Sequence, residues 1–283
     1  MRRPASFAHR FIAGETIEEA IAAARGVEAV GLAQTLDYLG EGVATLAAAD
    51  AATVQYRRII DTIIQSGIGR NLSLKLTQLG LDVDRASAVD NLRKVLDRAE
   101  GFFVRLDMES SKYTDVTLDI FETLWGHGYQ HMGIVLQADL RRTEGDLERV
   151  LALGARVRLV KGAYKEPRNV AYRHKDDVDA AYARLLKTLL GRGAYPAIAT
   201  HDPAMIDLAR RYAAEHQLAR DRFEFQMLYG IRRDLQASLA AEGYTVRVYI
   251  PFGRQWFPYF MRRLGERPAN VGFVVRGIVG EKK

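Results

Sequence analysis

Two arginines, Arg262 and Arg263, stand side by side in YFMRRLGERPANVGF, the stretch from Tyr259 to Phe273. Adjacent positions on a helix point roughly 100° apart, so such a pair cannot extend one apolar face. It is either a solvated basic face or a clamp on a small carboxylate or phosphate, whose oxygens match the guanidinium fork two at a time. Further groups with chemical potential stand inside short apolar runs. Lys75 lies in LSLKLTQ, Asp107 and Met108 in FFVRLDM, and Gln137 in MGIVLQA. Arg158 and Lys161 lie in RVRLVKGAY, and Thr200, His201 and Asp202 in ATHD. A glutamine at the end of an apolar run needs partners for its amide once buried.

These runs imply the elements that carry them. Eight β-rich segments, VGLAQTL, LSLKLTQ, FFVRLDM, MGIVLQA, RVRLVKG, PAIATH, FEFQML and TVRVYIP, alternate with amphipathic segments. Examples of the latter are DRASAVDNLRKVLDRAE, DVTLDIFETLWGHG, TEGDLERVLALG, DDVDAAYARLLKTLLGRG and DPAMIDLARRYAAEHQ, several of which open on Asp or Thr and close on Gly. Thr16 followed by Glu19 reads as a capping box for an extra N-terminal helix. Eight βα units in about 250 residues indicate a (β/α)8 TIM-like barrel. An open doubly wound sheet is the alternative, but GEGVAT, from Gly40 to Thr45, lacks the third glycine of a dinucleotide fingerprint. No linker divides the chain, so one domain over 1–283 is expected, with the segment after Gly265 closing over one end.

Composition narrows the chemistry. The chain has 283 residues, 48% hydrophobic, and no cysteine, which removes disulfides, thiolate nucleophiles and cysteine-bound zinc. The six histidines are scattered and only His201 falls at a clear strand end, so no metal is expected. The net charge of +6 suits an anionic ligand, but the basic residues are interleaved with acids, so no nucleic-acid partner is expected. MRRPASFAHRF lacks the apolar core of a secretory signal, and no run is long enough to span a bilayer; a cytoplasmic protein is expected.

In a barrel, chemistry collects at the C-terminal ends of the strands. Here those ends supply Lys75, Asp107, Gln137, Asp139, Arg158, Lys161, His201, Gln226 and Tyr249, a polar and cationic mouth. Lys75 and Asp107 also read as a structural ion pair, and His201 as an ordinary helix-entry residue. Two enzymatic readings fit. One is a Schiff-base aldolase with Lys75 or Lys161 as nucleophile. The other is a flavin enzyme, for which RLVKGAY supplies an arginine, a lysine and a glycine that admits close backbone approach.

Taken together and in order, LSLKLTQLG, FVRLDME, VRLVKGAY, ATHD, FEFQMLYG and YFMRRLGERPANVGF resemble the flavin-dependent proline dehydrogenases. The resemblance runs from RFIAGETIEEA to Phe273, nearly the whole chain, and the length fits the single-function bacterial form. It implies a distorted (β/α)8 barrel that holds FAD non-covalently, with the last helix over the barrel mouth. It implies oxidation of L-proline to Δ1-pyrroline-5-carboxylate, the first step of proline catabolism to glutamate, by hydride transfer to flavin N5. Electrons would pass to a quinone through peripheral contact with the inner face of the cell membrane, and a separate pyrroline-5-carboxylate dehydrogenase would act next. By the same resemblance Arg262, Arg263 and Lys75 hold the proline carboxylate, while Leu228, Tyr249 and Tyr259 wall its ring. Asp107 and Arg158 are the catalytic pair, with Arg158 near flavin N5. Met108, Gln137, Lys161, Gly162, Ala163, Thr200 and His201 contact the cofactor, with Tyr164 beside it. The RQWFP loop before Tyr259 is shorter than in some relatives and carries a proline. Glu41, in LDYLGEG between Gly40 and Gly42, is expected to pair with Arg262 as a gate when substrate is bound.

Overall fold

The computed structural model describes residues 10–265, with side chains described through Met261. The chain first forms helix α1 (Ile17–Glu28), whose start is the expected capping box: Thr16 Oγ1 accepts from Glu19 N, and the Glu19 carboxylate accepts from Thr16 N at 3.0 Å. Eight strands follow: β1 (Ala33–Tyr38), β2 (Asn71–Leu74), β3 (Phe103–Leu106), β4 (Met132–Gln137), β5 (Arg156–Val160), β6 (Ala197–Ala199), β7 (Glu224–Leu228) and β8 (Thr245–Phe252). Each precedes an α-helix: α2 (Leu46–Ser66), α3 (Arg85–Arg98), α4 (Thr114–Gly126), α5 (Thr143–Ala152), α6 (Lys175–Arg192), α7 (Pro203–Glu215), α8 (Arg233–Ala241) and α9 (Trp256–Gly265).

All neighbouring strands pair in parallel, and β1 pairs with β8, so the sheet closes as an eight-stranded barrel. Side-chain caps start some of the helices, whereas α4, α5, α6 and α8 begin without one, so Asp and Thr at the heads of those segments do not cap them. Thr45, Asp84 and Asp202 accept backbone N–H bonds at the starts of α2, α3 and α7, and Pro203 occupies the first turn of α7, where its missing N–H costs nothing. The apolar core fills the layer between strands and helices, with Leu36, Leu72, Val104, Ile134 and Phe225 fully buried. A smaller cluster of Phe11, Ile12, Leu39, Tyr259 and Phe260 ties the leading segment to α9.

Two strand ends differ from the sequence reading, and both differences matter for the site. β1 extends through Tyr38 instead of ending at Leu36, which places Asp37 within the strand. β2 stops at Leu74 instead of continuing through Gln78. Beyond Lys75 the chain turns into a 3-10 segment, Leu76–Leu79, closed by Gly80 at φ 103°. Glu109 enforces that turn by accepting from both Thr77 N (3.1 Å) and Thr77 Oγ1 (2.5 Å).

The interior of the barrel departs from the usual packing of branched aliphatic side chains. Thr35, Asp37, Ser73, Arg105, Arg158, Glu224 and Gln226 are all buried in it. Most buried polar groups in folded proteins are paired, and the pairing here organises the mouth.

Candidate active site

A cavity of about 960 Å³ opens at the C-terminal ends of the strands. That is the top of the range for small-molecule sites, with room for a large cofactor. Its floor is an ion cluster. Lys75, 7% exposed, directs its ammonium to Asp37 Oδ1 at 3.1 Å and to Asp107 Oδ2 at 3.6 Å. Burial alone would push the Lys75 ammonium down, but Asp37 and Asp107 hold it well above its ordinary value. Burial also pushes the Asp37 carboxyl up, against the opposing pull of Lys75. Asp107 accepts further bonds from Arg158 Nη1 at 2.6 Å and from the Tyr249 hydroxyl at 2.8 Å.

Arg158 is held from β7, β2 and the residue that follows β3. Its Nε donates to Gln226 Oε1 (2.5 Å), Nη1 to Asp107, and Nη2 to Ser73 Oγ (3.0 Å). Its guanidinium also lies 5.3 Å from the centroid of the Tyr249 ring. Burial, with Asp107 beside it, pushes the Tyr249 hydroxyl well up, so it remains a donor at neutral pH.

Gln137, 3% exposed at the end of β4, lines the cavity, and its amide oxygen has no hydrogen-bond partner. A ligand able to donate to that oxygen would remove a desolvation cost of about 1–3 kcal/mol. Beside it, Gly162 takes φ +127°, and a Cβ there would fall 2.0 Å from an Asp139 carboxylate oxygen. Only glycine fits this approach. Burial, reinforced by Glu166, raises the Asp139 carboxyl to about 7. Lys161 pairs with Asp202 at 2.6 Å and with Asp179, fixing the β5–α6 loop to the start of α7. His201 Nε2 accepts from Leu228 N at 2.9 Å.

Of the residues expected from sequence, Lys75, Asp107, Met108, Gln137 and Arg158 line one cavity, as do Lys161, Gly162, Ala163, Tyr164, Thr200 and His201. Leu228, Tyr249 and Tyr259 line it too, so the altered RQWFP loop still brings Tyr259 to the mouth on α9. Glu41 is half-buried in the turn after β1 and is not among the lining residues; Gly42 beside it takes φ +65°. Arg262 and Arg263 fall on α9, but their side chains lie outside the described residues. Among the described residues no group of acids and histidines could hold a metal ion.

Sequence reading missed Asp37, because strand one was ended one residue short of it. A lone acid inside QTLDYLG, next to a strand end, was the available signal. It also left Ser73, Glu224 and Arg247 unremarked, and gave Gln226 no role.

The chain matches the family described as "Proline dehydrogenase" over residues 20–276. It is 45% identical over 280 residues to "Proline dehydrogenase" of Deinococcus radiodurans, covering 97% of this chain and 90% of the relative. It is 44% identical over 273 residues to "Proline dehydrogenase 2" of Bacillus subtilis, covering 96% and 90%. The "Bifunctional protein PutA" of Escherichia coli is 30% identical over 94% of this chain, which spans 24% of that protein's length. Among solved structures, proline utilization A from Bdellovibrio bacteriovorus inactivated by N-propargylglycine superimposes with a TM-score of 0.85 at 27% identity. That match covers 91% of this chain and 32% of the larger one.

Proposed function

The chain belongs to the proline dehydrogenase family, and from that premise we propose that the cavity holds FAD non-covalently and takes L-proline to Δ1-pyrroline-5-carboxylate. Proline dehydrogenase activity and the use of a flavin follow from membership in the family, and the high identity is to the single-function bacterial form rather than to the bifunctional proteins. FAD and the residue roles are our reading, as is a single domain over 1–283.

The observation that carries this reading is the orphaned amide oxygen of Gln137, whose side chain lines a cavity floored by Lys75, Asp107 and Arg158. The N3–H of an isoalloxazine ring is a donor suited to that oxygen. Lys161, Arg173, Lys175 and Arg232 also line the cavity and suit a pyrophosphate, while Thr200 and His201 lie along the same wall. The residues present therefore fit FAD. When bound, the flavin supplies the two-electron acceptor for the ring carbon next to the proline nitrogen.

The protein's own contribution is orientation and electrostatics. Lys75, a permanent ammonium, offers charge-assisted bonds to the substrate carboxylate, with Arg262 and Arg263 as its partners in the clamp. Tyr249, Tyr259 and Leu228 wall the ring. Asp107 holds Lys75, Arg158 and Tyr249 in register through its two oxygens. Such fixed geometry can lower a barrier by several kcal/mol. Met108, Gly162, Ala163 and Tyr164 are the remaining walls against the cofactor. Glu41 pairing with Arg262 would close the mouth.

The Schiff-base aldolase reading weakens on the same geometry. A nucleophilic lysine must be a neutral amine, and Lys75 is held as an ammonium by two carboxylates, while Lys161 is tied to Asp179 and Asp202. Electron transfer to a quinone, peripheral contact on the inner face of the cell membrane, a cytoplasmic setting and a separate pyrroline-5-carboxylate dehydrogenase complete the proposal. No helix among the described residues is long and apolar enough to cross a membrane.

The deciding experiment is a visible spectrum of the purified protein. We expect flavin bands, release of FAD on denaturation, and bleaching on addition of L-proline. A protein that stays colourless after reconstitution with FAD would overturn the reading.

A further inference from the structure

Beneath the cavity a chain of buried polar groups runs from Arg158 to the opposite end of the barrel. Gln226 and Glu224 sit two residues apart on β7, so both face inward. Gln226 Oε1 accepts from Arg158 Nε, and Gln226 Nε2 donates to Glu224 Oε1. Glu224 takes a fork from Arg247 on β8: Nε lies 2.9 Å from Oε1, and Nη2 lies 2.9 Å from Oε2. Arg247 Nη1 then ends on the Gln34 carbonyl at 2.9 Å. Arg158, Gln226 and Glu224 are 4%, 3% and 2% exposed.

The hydrogen-bond logic of this chain allows one arrangement. Arg158 can only donate, so Gln226 must show it an oxygen. An ionised carboxylate can only accept, so Gln226 must show Glu224 its NH2 group. Burial would raise the Glu224 carboxyl, but Arg247 outweighs it and holds the group below its ordinary value, so it stays ionised. A side-chain amide is otherwise nearly symmetric and free to flip by half a turn. With Glu224 ionised, the flipped form would put NH2 against the guanidinium and carbonyl against carboxylate.

We propose that Gln226 and Glu224 are positioning residues for Arg158: Glu224 fixes the direction of the Gln226 amide, and Gln226 thereby fixes the orientation in which Arg158 presents its charge to the cavity. The inference rests on the reading that Arg158 faces the flavin. Its consequence is electrostatic. A cation held in one orientation favours the reduced, anionic form of a neighbouring flavin more than one that swings between orientations. Gln226 itself lines the cavity, whereas Glu224 and Arg247 do not, so the double variant reports on the closed end of the barrel without altering the cavity wall.

The test is the two-electron midpoint potential of the FAD-loaded protein, with melting temperature and flavin reduction by proline measured alongside. Gln226→Met keeps side-chain length and removes the acceptor without changing charge. Glu224→Gln combined with Arg247→Met removes the carboxylate and its counter-charge together, so the net charge inside the barrel is unchanged. Both should lower the potential, shifting the oxidised–reduced equilibrium about tenfold, or about 30 mV for a two-electron couple. Both should also slow flavin reduction at saturating proline several-fold. If the double variant does not fold, Gln226→Met decides alone. Arg158→Met is the control. If it lowers the potential while the other variants lose only melting temperature, the relay is structural and this inference falls alone. If Arg158→Met leaves the potential unchanged, Arg158 does not serve the flavin, and both readings fall.

Discussion

Replacing Lys75 by methionine tests the buried ion cluster most directly. Asp37 is fully buried, and its Oδ1 depends on Lys75 Nζ at 3.1 Å. Its other oxygen is buried without a hydrogen-bond partner, and the Tyr249 hydroxyl donates to Asp107. Asp107 keeps Arg158 and Tyr249 when the lysine goes, so Asp37 is the group left exposed to the loss. Breaking a buried pair on one side costs about 3–5 kcal/mol. The cost has a definite pH dependence. Burial already raises the Asp37 carboxyl, and losing the cation raises it further. A carboxyl raised in the folded state contributes stability that is present below its unfolded value, near 3.9, and lost as pH rises through the folded value. The Lys75→Met deficit should therefore grow by up to about 1.4 kcal/mol per pH unit between the folded value of Asp37 in the parent protein and its higher folded value in the variant, and level off above that. Adding Asp37→Asn removes the carboxylate, and the double variant should regain at least about 2 kcal/mol over the single one. Urea denaturation followed by circular dichroism at pH 5 and pH 8 measures both effects. A coupling below about 0.5 kcal/mol, or a deficit identical at the two pH values, would refute the argument.

Asp139, raised to about 7 by burial and by Glu166, makes the protein lose stability as pH climbs from about 4 through 7, because the folded state holds its proton longer. Asp139→Asn should flatten that loss and be the more stable form at pH 8, by about 1–3 kcal/mol, read from melts across pH. Arg263→Met should raise the proline requirement steeply while flavin content stays near wild type, by about 2–5 kcal/mol in steady-state kinetics. Normal proline kinetics with lost FAD would reassign that arginine to the cofactor. Glu41→Ala should slow flavin reduction by proline up to about fivefold, the equivalent of about 1 kcal/mol in closed population, with little change in melting temperature. Stopped-flow reduction at saturating proline reads this, and an unchanged rate and affinity would remove Glu41 from the mechanism.

The eight strands and the alternating helices were legible because each signal is local. Thr16 with Glu19, Asp84, and Asp202 with Pro203 mark helix starts within a few residues of sequence. The β-rich runs stand out against the amphipathic segments between them. The ends of β1 and β2 were not legible. They depend on Glu109, 32 residues downstream, bonding Thr77, and on the pairing of β1 with β8, more than 200 residues apart. No window around Leu36 or Leu74 contains those partners.

The same division holds in the site. Sequence alone determined the inventory: which strand ends carry Lys75, Asp107, Gln137, Arg158 and His201, and that no cysteine competes with them. Closure of the barrel decided what each is worth. It set Asp37 against Lys75, and that carboxylate favours the lysine's ammonium form. It left the Gln137 oxygen unpartnered and threaded Gln226, Glu224 and Arg247 beneath Arg158. The reason is range. A residue's type and its local periodicity are written in the sequence next to it. The field and the hydrogen-bond partners it meets once buried come from strands brought together from the whole length of the chain.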